Sequence, residues 1–102
     1  MLITNPGGFP TIVLAHGSTT PMDAPFLETV SQGLGDAGAE VVRFEFPFMA
    51  ARRKDGMTRK PDDLSVLVAA WLDVLARFEA SRTLIGGKSL GGRVASILAD
   101  EL

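Results

Sequence analysis

Ser89 lies within Gly87-Lys88-Ser89-Leu90-Gly91, a run that fits the pattern G-x-S-x-G. The chemistry this spacing permits is acyl transfer by a hydroxyl held on a sharp turn between a strand and a helix. The flanks suit that context. Thr83-Leu84-Ile85-Gly86 is a short apolar β-type run before the motif, and Gly92-Arg93-Val94-Ala95-Ser96-Ile97-Leu98-Ala99 reads as a helix after it. Gly87 and Gly91 then have a steric role. The turn is strained, and side chains two residues either way would collide with the neighbouring helix or strand.

An oxyanion developing on an attacked carbonyl needs hydrogen-bond donors aimed at it, commonly two backbone N–H groups from separate strand-to-helix loops. Leu90 N–H, directly after the nucleophile, is one candidate. The other comes from near the N-terminus, where Thr11-Ile12-Val13-Leu14-Ala15 is a continuous apolar run of the kind found in buried parallel strands. It runs into His16-Gly17-Ser18-Thr19-Thr20-Pro21, a polar turn in which Ser18 or Thr19 supplies the second donor. His16, the sole histidine, is read as ordering this turn through side-chain hydrogen bonds. As a catalytic base it stands at the wrong place in the chain order.

Other readings of these residues are weaker. A phosphate-binding loop needs G-x-x-x-x-G-K-[ST], and the position for its first glycine is Arg82, so a nucleotide-binding protein is disfavoured. Asp23 suits helix capping ahead of Pro25. Arg52, Arg53, Lys54, Arg59 and Lys60 are five of the ten basic residues. They read as a solvated loop, or functionally as a rim on the Ser89 edge that prefers an anionic substrate or an acidic partner.

Leu14-Ala15-His16-Gly17, Pro21-Met22-Asp23-Ala24-Pro25-Phe26, Arg43-Phe44-Glu45-Phe46-Pro47-Phe48-Met49 and Gly86-Gly87-Lys88-Ser89-Leu90-Gly91-Gly92-Arg93 together resemble the small α/β-hydrolases. More narrowly they are similar to the dienelactone-hydrolase-like group, which includes testis-expressed hydrolase-like proteins and a subunit of a histone acetyltransferase complex. The resemblance covers Thr11 to Leu102. It implies an α/β-hydrolase fold with Ser89 as nucleophile and no cofactor. Such proteins place an acid and then a histidine after the nucleophile, whereas this sequence stops thirteen residues after Ser89 and its only histidine is His16. Residues 1–102 are therefore expected to form one partial domain, broken off after the nucleophile helix and inactive by itself. The rival reading is a non-catalytic interaction module on the same fold.

The elements that must position these groups follow from periodicity. After a turn-rich lead-in over Met1–Pro10, the expected order is β-α-β-α-β-α: an α/β fold in three layers, α/β/α, around a parallel sheet. The strands are Thr11–Ala15, Glu40–Phe46 and Arg82–Gly86. The second is expected to be less deeply buried, with Val42, Phe44 and Phe46 on one side and Arg43 and Glu45 on the other. The first helix follows Pro25, with Phe26, Val30 and Leu34 inward and Gly38 at its end. Pro47–Lys60 is expected to be irregular. A helix starting at Asp62-Asp63 carries an inward stripe of Leu64, Leu67, Val68, Trp71, Leu72, Leu75 and Phe78, and Val94, Ile97 and Leu98 face inward on the last helix.

Composition limits the alternatives. The chain has 102 residues, 46% hydrophobic and 22% charged, with a net charge of −2, which is ordinary for a globular domain. That charge gives no case for nucleic acid or an anionic membrane as partner. With no cysteine, disulfides and thiolate metal sites are absent, and no metal is expected. No apolar run approaches the ~20 residues of a membrane span, and no secretory signal is visible, so a cytoplasmic location is expected. The expected partner is a small-molecule acyl or ester substrate, with an unfinished sheet edge open to oligomer formation.

Overall fold

The computed structural model describes residues 1–87 and 91–95. A four-stranded sheet forms the middle layer, in the order β1-β3-β2-β4. Its strands are β1 (Leu2–Thr4), β2 (Thr11–Ala15), β3 (Glu40–Phe44) and β4 (Thr83–Gly87). The central strand β2 runs parallel to β3 on one side and to β4 on the other, as the apolar pattern predicts. The sheet is nevertheless mixed. Leu2–Thr4, within the expected lead-in, pairs antiparallel with β3, Leu2 lying opposite Arg43 and Thr4 opposite Val41. Three residues are too few to show a period, so composition alone reads them as a lead-in.

Alternation along the strands separates two cores. Val13 and Ala15 of β2 join Val42 and Phe44 of β3, together with Phe46, Phe48, Met49, Leu67, Trp71, Val74, Val94 and Ala95. On the opposite face Leu14 and Val41 pack with Leu27 and Ala39. Helix α1 (Pro25–Asp36) covers the second face, and α3 (Leu64–Leu75) covers the first, completing three layers. Trp71 is fully buried, with its ring 4.8 Å from that of Phe44 in an edge-on contact.

Helix α1 opens with Pro25 at its first turn and ends in a Schellman arrangement. Gly38 N–H donates to the Gly35 carbonyl at 3.0 Å and Ala39 N–H to the Leu34 carbonyl at 3.1 Å. Gly38 has φ +107°, the region only glycine enters cheaply. The inward face is rotated from the expected one. Leu27 and Ser31 are buried, Val30 and Leu34 pack partly, and Phe26 is exposed.

Three further expectations change. Pro47–Lys60 is not irregular throughout: α2 occupies Pro47–Asp55 and stops at Gly56, whose φ is +73°. Strand β3 ends at Phe44, not Phe46, and is buried on both faces, including Arg43. That guanidinium is tolerated because Nη1 pairs with Glu28 at 3.0 Å and donates to the Met22 carbonyl at 3.0 Å. Finally, α3 starts at Leu64 with Asp63 as its N-cap position and buries Leu67, Trp71 and Val74, while Leu64 and Leu72 are exposed and Phe78 lies past its end. Residues 91–95 are helical and Val94 is buried; Ile97 and Leu98 lie outside the described residues.

Candidate active site

Register brings the relevant loops to one edge. Ala15, the last residue of β2, pairs with Phe44 on one side and Gly87 on the other. The three parallel strands therefore end flush, and the chain segments leaving them share the carboxyl edge of the sheet, where ligands bind in open α/β folds. The His16–Thr20 segment leaves the central strand, between the other two exits.

Backbone meets backbone where the motif glycines stand. A Cβ at Gly87 would lie 2.6 Å from the Gly91 carbonyl carbon, 2.8 Å from Gly92 N and 2.9 Å from the Ala15 carbonyl oxygen. One at Gly91 would lie 2.5 Å from the His16 carbonyl oxygen and 2.8 Å from Ala15 Cβ. Gly91 N–H donates to that His16 carbonyl at 3.1 Å. The end of β4, the start of the 91–95 helix and the end of β2 thus cross with no room for a side chain. Lys88, Ser89 and Leu90, which include the nucleophile and the first oxyanion donor of the sequence reading, lie outside the described residues.

His16 is fully buried, and both ring nitrogens are engaged. Phe46 N–H donates to Nε2 at 3.0 Å, so Nε2 carries no proton. Nδ1 is then the protonated nitrogen and donates to the Gly17 carbonyl at 2.5 Å. Burial, the largest influence, pushes the imidazole pKa below its ordinary 6.5, with the Gly17 carbonyl and Glu45 pulling the other way. The rings of Phe46 and Phe48 meet it edge-on, at 5.0 and 5.5 Å between centroids. A neutral imidazole with its lone pair committed to a backbone amide has none left for a substrate proton or a serine hydroxyl. His16 instead joins the loop after β2 to the β3–α2 junction.

Gly17 is buried, Ser18 half-buried and Thr19 exposed. No described residue accepts a hydrogen bond from the Ser18 or Thr19 amide, so neither N–H is committed within the described fold. The Thr19 carbonyl is held by Arg52 Nη1 at 3.0 Å, anchoring this turn to α2. Beside it opens a cavity of about 420 Å³, lined by Ser18, Thr19, Phe48, Met49 and Arg52 and by Thr58, Arg59 and Pro61 across from α2.

Asp23 does not cap α1, whose N-cap position is Ala24. It pairs with Arg53 at 2.8 Å, and Arg53 also pairs with Glu45 at 2.6 Å. Hydrogen bonds to Arg53 hold the Asp23 carboxyl below its ordinary value. At Glu45, burial raises the pKa, and the bonds from Arg53 and from Met22 N–H outweigh it and bring it down. This network ties the segment before α1 to α2 and to the junction between β3 and α2. The sequence reading gives Arg52, Arg53 and Lys54 a possible rim role but not the helix that carries them, and it misses the role of Asp62, whose carboxylate accepts from Phe48 N–H at 2.9 Å in the first turn of α2. Pro47 at the helix start and Gly56 at its end are the signals that mark it. Among the described residues, no group of three or more His, Cys, Asp or Glu could hold a metal ion, and no helix is long and apolar enough to cross a membrane.

Parallel strands ending flush, helices on both faces and a glycine-only crossing after the third of those strands define an α/β protein with the architecture of the hydrolases built on this fold. The alpha/beta hydrolase domain family model matches residues 9–102, and the chain belongs to that family. No curated protein and no solved structure matches it.

Proposed function

We propose that this chain carries the nucleophile and oxyanion half of a serine hydrolase acting on an ester or other acyl bond, in the dienelactone-hydrolase-like branch that its motif runs resemble. Ser89 attacks the carbonyl carbon. The tetrahedral oxyanion is held by Leu90 N–H and by the amide of Ser18 or Thr19. The observation that supports this reading is the close packing of Gly87 and Gly91 against Ala15 and His16, and of Gly92 against Gly87, next to a turn whose Ser18 and Thr19 amides have no acceptor among the described residues. Each such donor is worth about 3–4 kcal/mol of transition-state stabilisation.

Proton transfer from Ser89 needs a base. His16 is the only histidine and its acceptor nitrogen is filled, so no histidine among these 102 residues serves as that base. The isolated chain then has, at most, the residual rate that an oxyanion hole and binding supply. A fluorophosphonate probe tests the assignment, applied to this chain and to one continued through the sequence encoded after residue 102. Labelling lost in Ser89→Ala supports it; an unlabelled Ser89 in both refutes it.

One observation favours a second reading, an interaction module. Among the described residues the outer edge of β4 pairs with no strand, and an apolar groove of about 770 Å³ lined by Leu72, Leu75, Ala76, Leu84 and Ile85 runs beside it. Absence of labelling together with concentration-dependent association favours the module.

A further inference from the structure

We propose that the cavity beside the His16–Thr20 turn binds the anionic end of the substrate on the guanidinium of Arg52, so that the hydrolase acts on acyl compounds bearing a carboxylate or phosphate. The assignment rests on the acyl-transfer reading for its chemistry but on separate residues for its geometry.

The cations near this edge differ in what they already hold. Arg53 is shared between Asp23 and Glu45. Arg59 grips both oxygens of Asp55, at 2.9 and 2.5 Å. Arg52 has no carboxylate partner among the described residues. Its bonds run from Nη1 alone, to the Thr19 carbonyl at 3.0 Å and the Met49 sulfur at 4.0 Å. Among the described residues nothing accepts from the Nε and Nη2 hydrogens, and these form the side of the guanidinium that meets a carboxylate or phosphate with two parallel bonds.

Position adds to this. Arg52 is half-buried and lines the cavity together with Phe48, Met49 and Pro61. An ion pair formed there is less screened than one on an open surface. The apolar walls suit the hydrocarbon part of a ligand, and Ser18 and Thr19 stand at the same cavity. An anion on Arg52 would therefore lie beside the amides assigned to the oxyanion, placing the scissile carbonyl a short chain away from the charge. Because Arg52 also fixes the Thr19 carbonyl, one side chain both positions the turn and reads the substrate.

Binding, not turnover, is the test. Monomethyl glutarate and methyl phosphate are titrated into the protein and into Ser89→Ala, with dimethyl glutarate as the neutral comparison, and amide shifts are followed by NMR. One or both anions are expected to bind about tenfold tighter than the diester, from the charge-assisted bonds. The preference should persist in Ser89→Ala and vanish in Arg52→Gln. Equal binding of anion and diester overturns the proposal, and so does a preference that survives Arg52→Gln. Should Arg52→Gln fail to fold, Arg52→Lys replaces it: a smaller preference supports the forked contact, and an unchanged one overturns it. Fluorophosphonate labelling of the same samples reports Ser89 separately. Arg52-dependent anion binding without labelling keeps the cavity and removes the chemistry; labelling without it does the reverse.

Discussion

Gly91 and Gly33 are both helical, yet their surroundings set opposite responses to an added methyl. At Gly91 the new carbon would meet backbone where β2 ends, at 2.8 Å from the Ala15 carbonyl carbon and 2.5 Å from the carbonyl oxygen of His16 just beyond it, and backbone cannot rotate away. Gly91→Ala is expected to cost about 1–3 kcal/mol or more, as overpacking does. Nothing lies within 4 Å of a Cβ at Gly33, so Gly33→Ala should gain roughly 0.5–1 kcal/mol by stiffening the unfolded chain. Urea midpoints moving in opposite directions check the pair. His16 makes a prediction about pH. Its folded pKa lies below 6.5, so beneath that pH the unfolded chain binds protons the native one refuses. Stability is fully present above pH 6.5 and is lost as pH falls through the window below it, by up to about 1.4 kcal/mol per unit. The carboxylates of Asp23, Glu40 and Glu45 are shifted downward from 3.8 and 4.5, so their losses come at more acid pH. Unfolding free energies at pH 7.5 and 5.5, in the native chain and in His16→Gln, isolate the histidine; a native value that does not fall refutes the sign.

Helix α2 depends on a partner distant in sequence. The N-cap residue of α2 is Phe46, with no side-chain cap, and its first turn is held by Asp62 through Phe48 N–H. Asp62→Ala is expected to cost about 0.5–2 kcal/mol, the range for losing a capping carboxylate. Amide exchange over Phe48–Ala51 should rise with it, and unchanged protection there would assign Asp62 no capping role. The same helix shows where reading a sequence succeeds and where it stops. Thr11–Ala15 declares itself because a strand buried on both faces has to be apolar throughout, and Thr83–Gly86 is legible as a short apolar β-type run although Leu84 stays exposed. Helix α2 buries only Phe48 and Met49, and Arg52, Arg53, Lys54 and Asp55 give it the composition of a loop. Strand β3 misleads through Arg43, whose charge suggests exposure until Glu28 and Met22, both from the β2–β3 connection, supply its bonds. At the site, the glycine spacing is legible because sterics set it locally. The cavity wall and the commitment of His16 Nε2 are not, since both arise from α2 folding back over the turn after β2.

At the scale of the molecule, the two borders of the sheet are unlike. The β1 border is three residues long. The β4 border carries Leu84, which is 58% exposed, with Leu72 close by at 47%. Exposed apolar strand borders template pairing with other chains, and lysine placed on them suppresses it. Self-association through this border is therefore expected at high concentration, and Leu84→Lys should lower the weight-average mass in sedimentation without lowering the urea midpoint. A variant that sediments like the native chain would exclude this border as the contact. The glycine crossing has its own consequence for descent. Where main chain lies against main chain, no compensating change at a neighbouring position can restore a lost fit, so Gly87, Gly91 and Gly92 are constrained by folding whether or not catalysis is under selection. A lineage that abandoned turnover would keep these glycines and be free to vary the residue between them. In a saturation library sorted for soluble expression alone, the glycines should remain nearly invariant while position 89 drifts, and that contrast separates an inherited shape from a retained reaction.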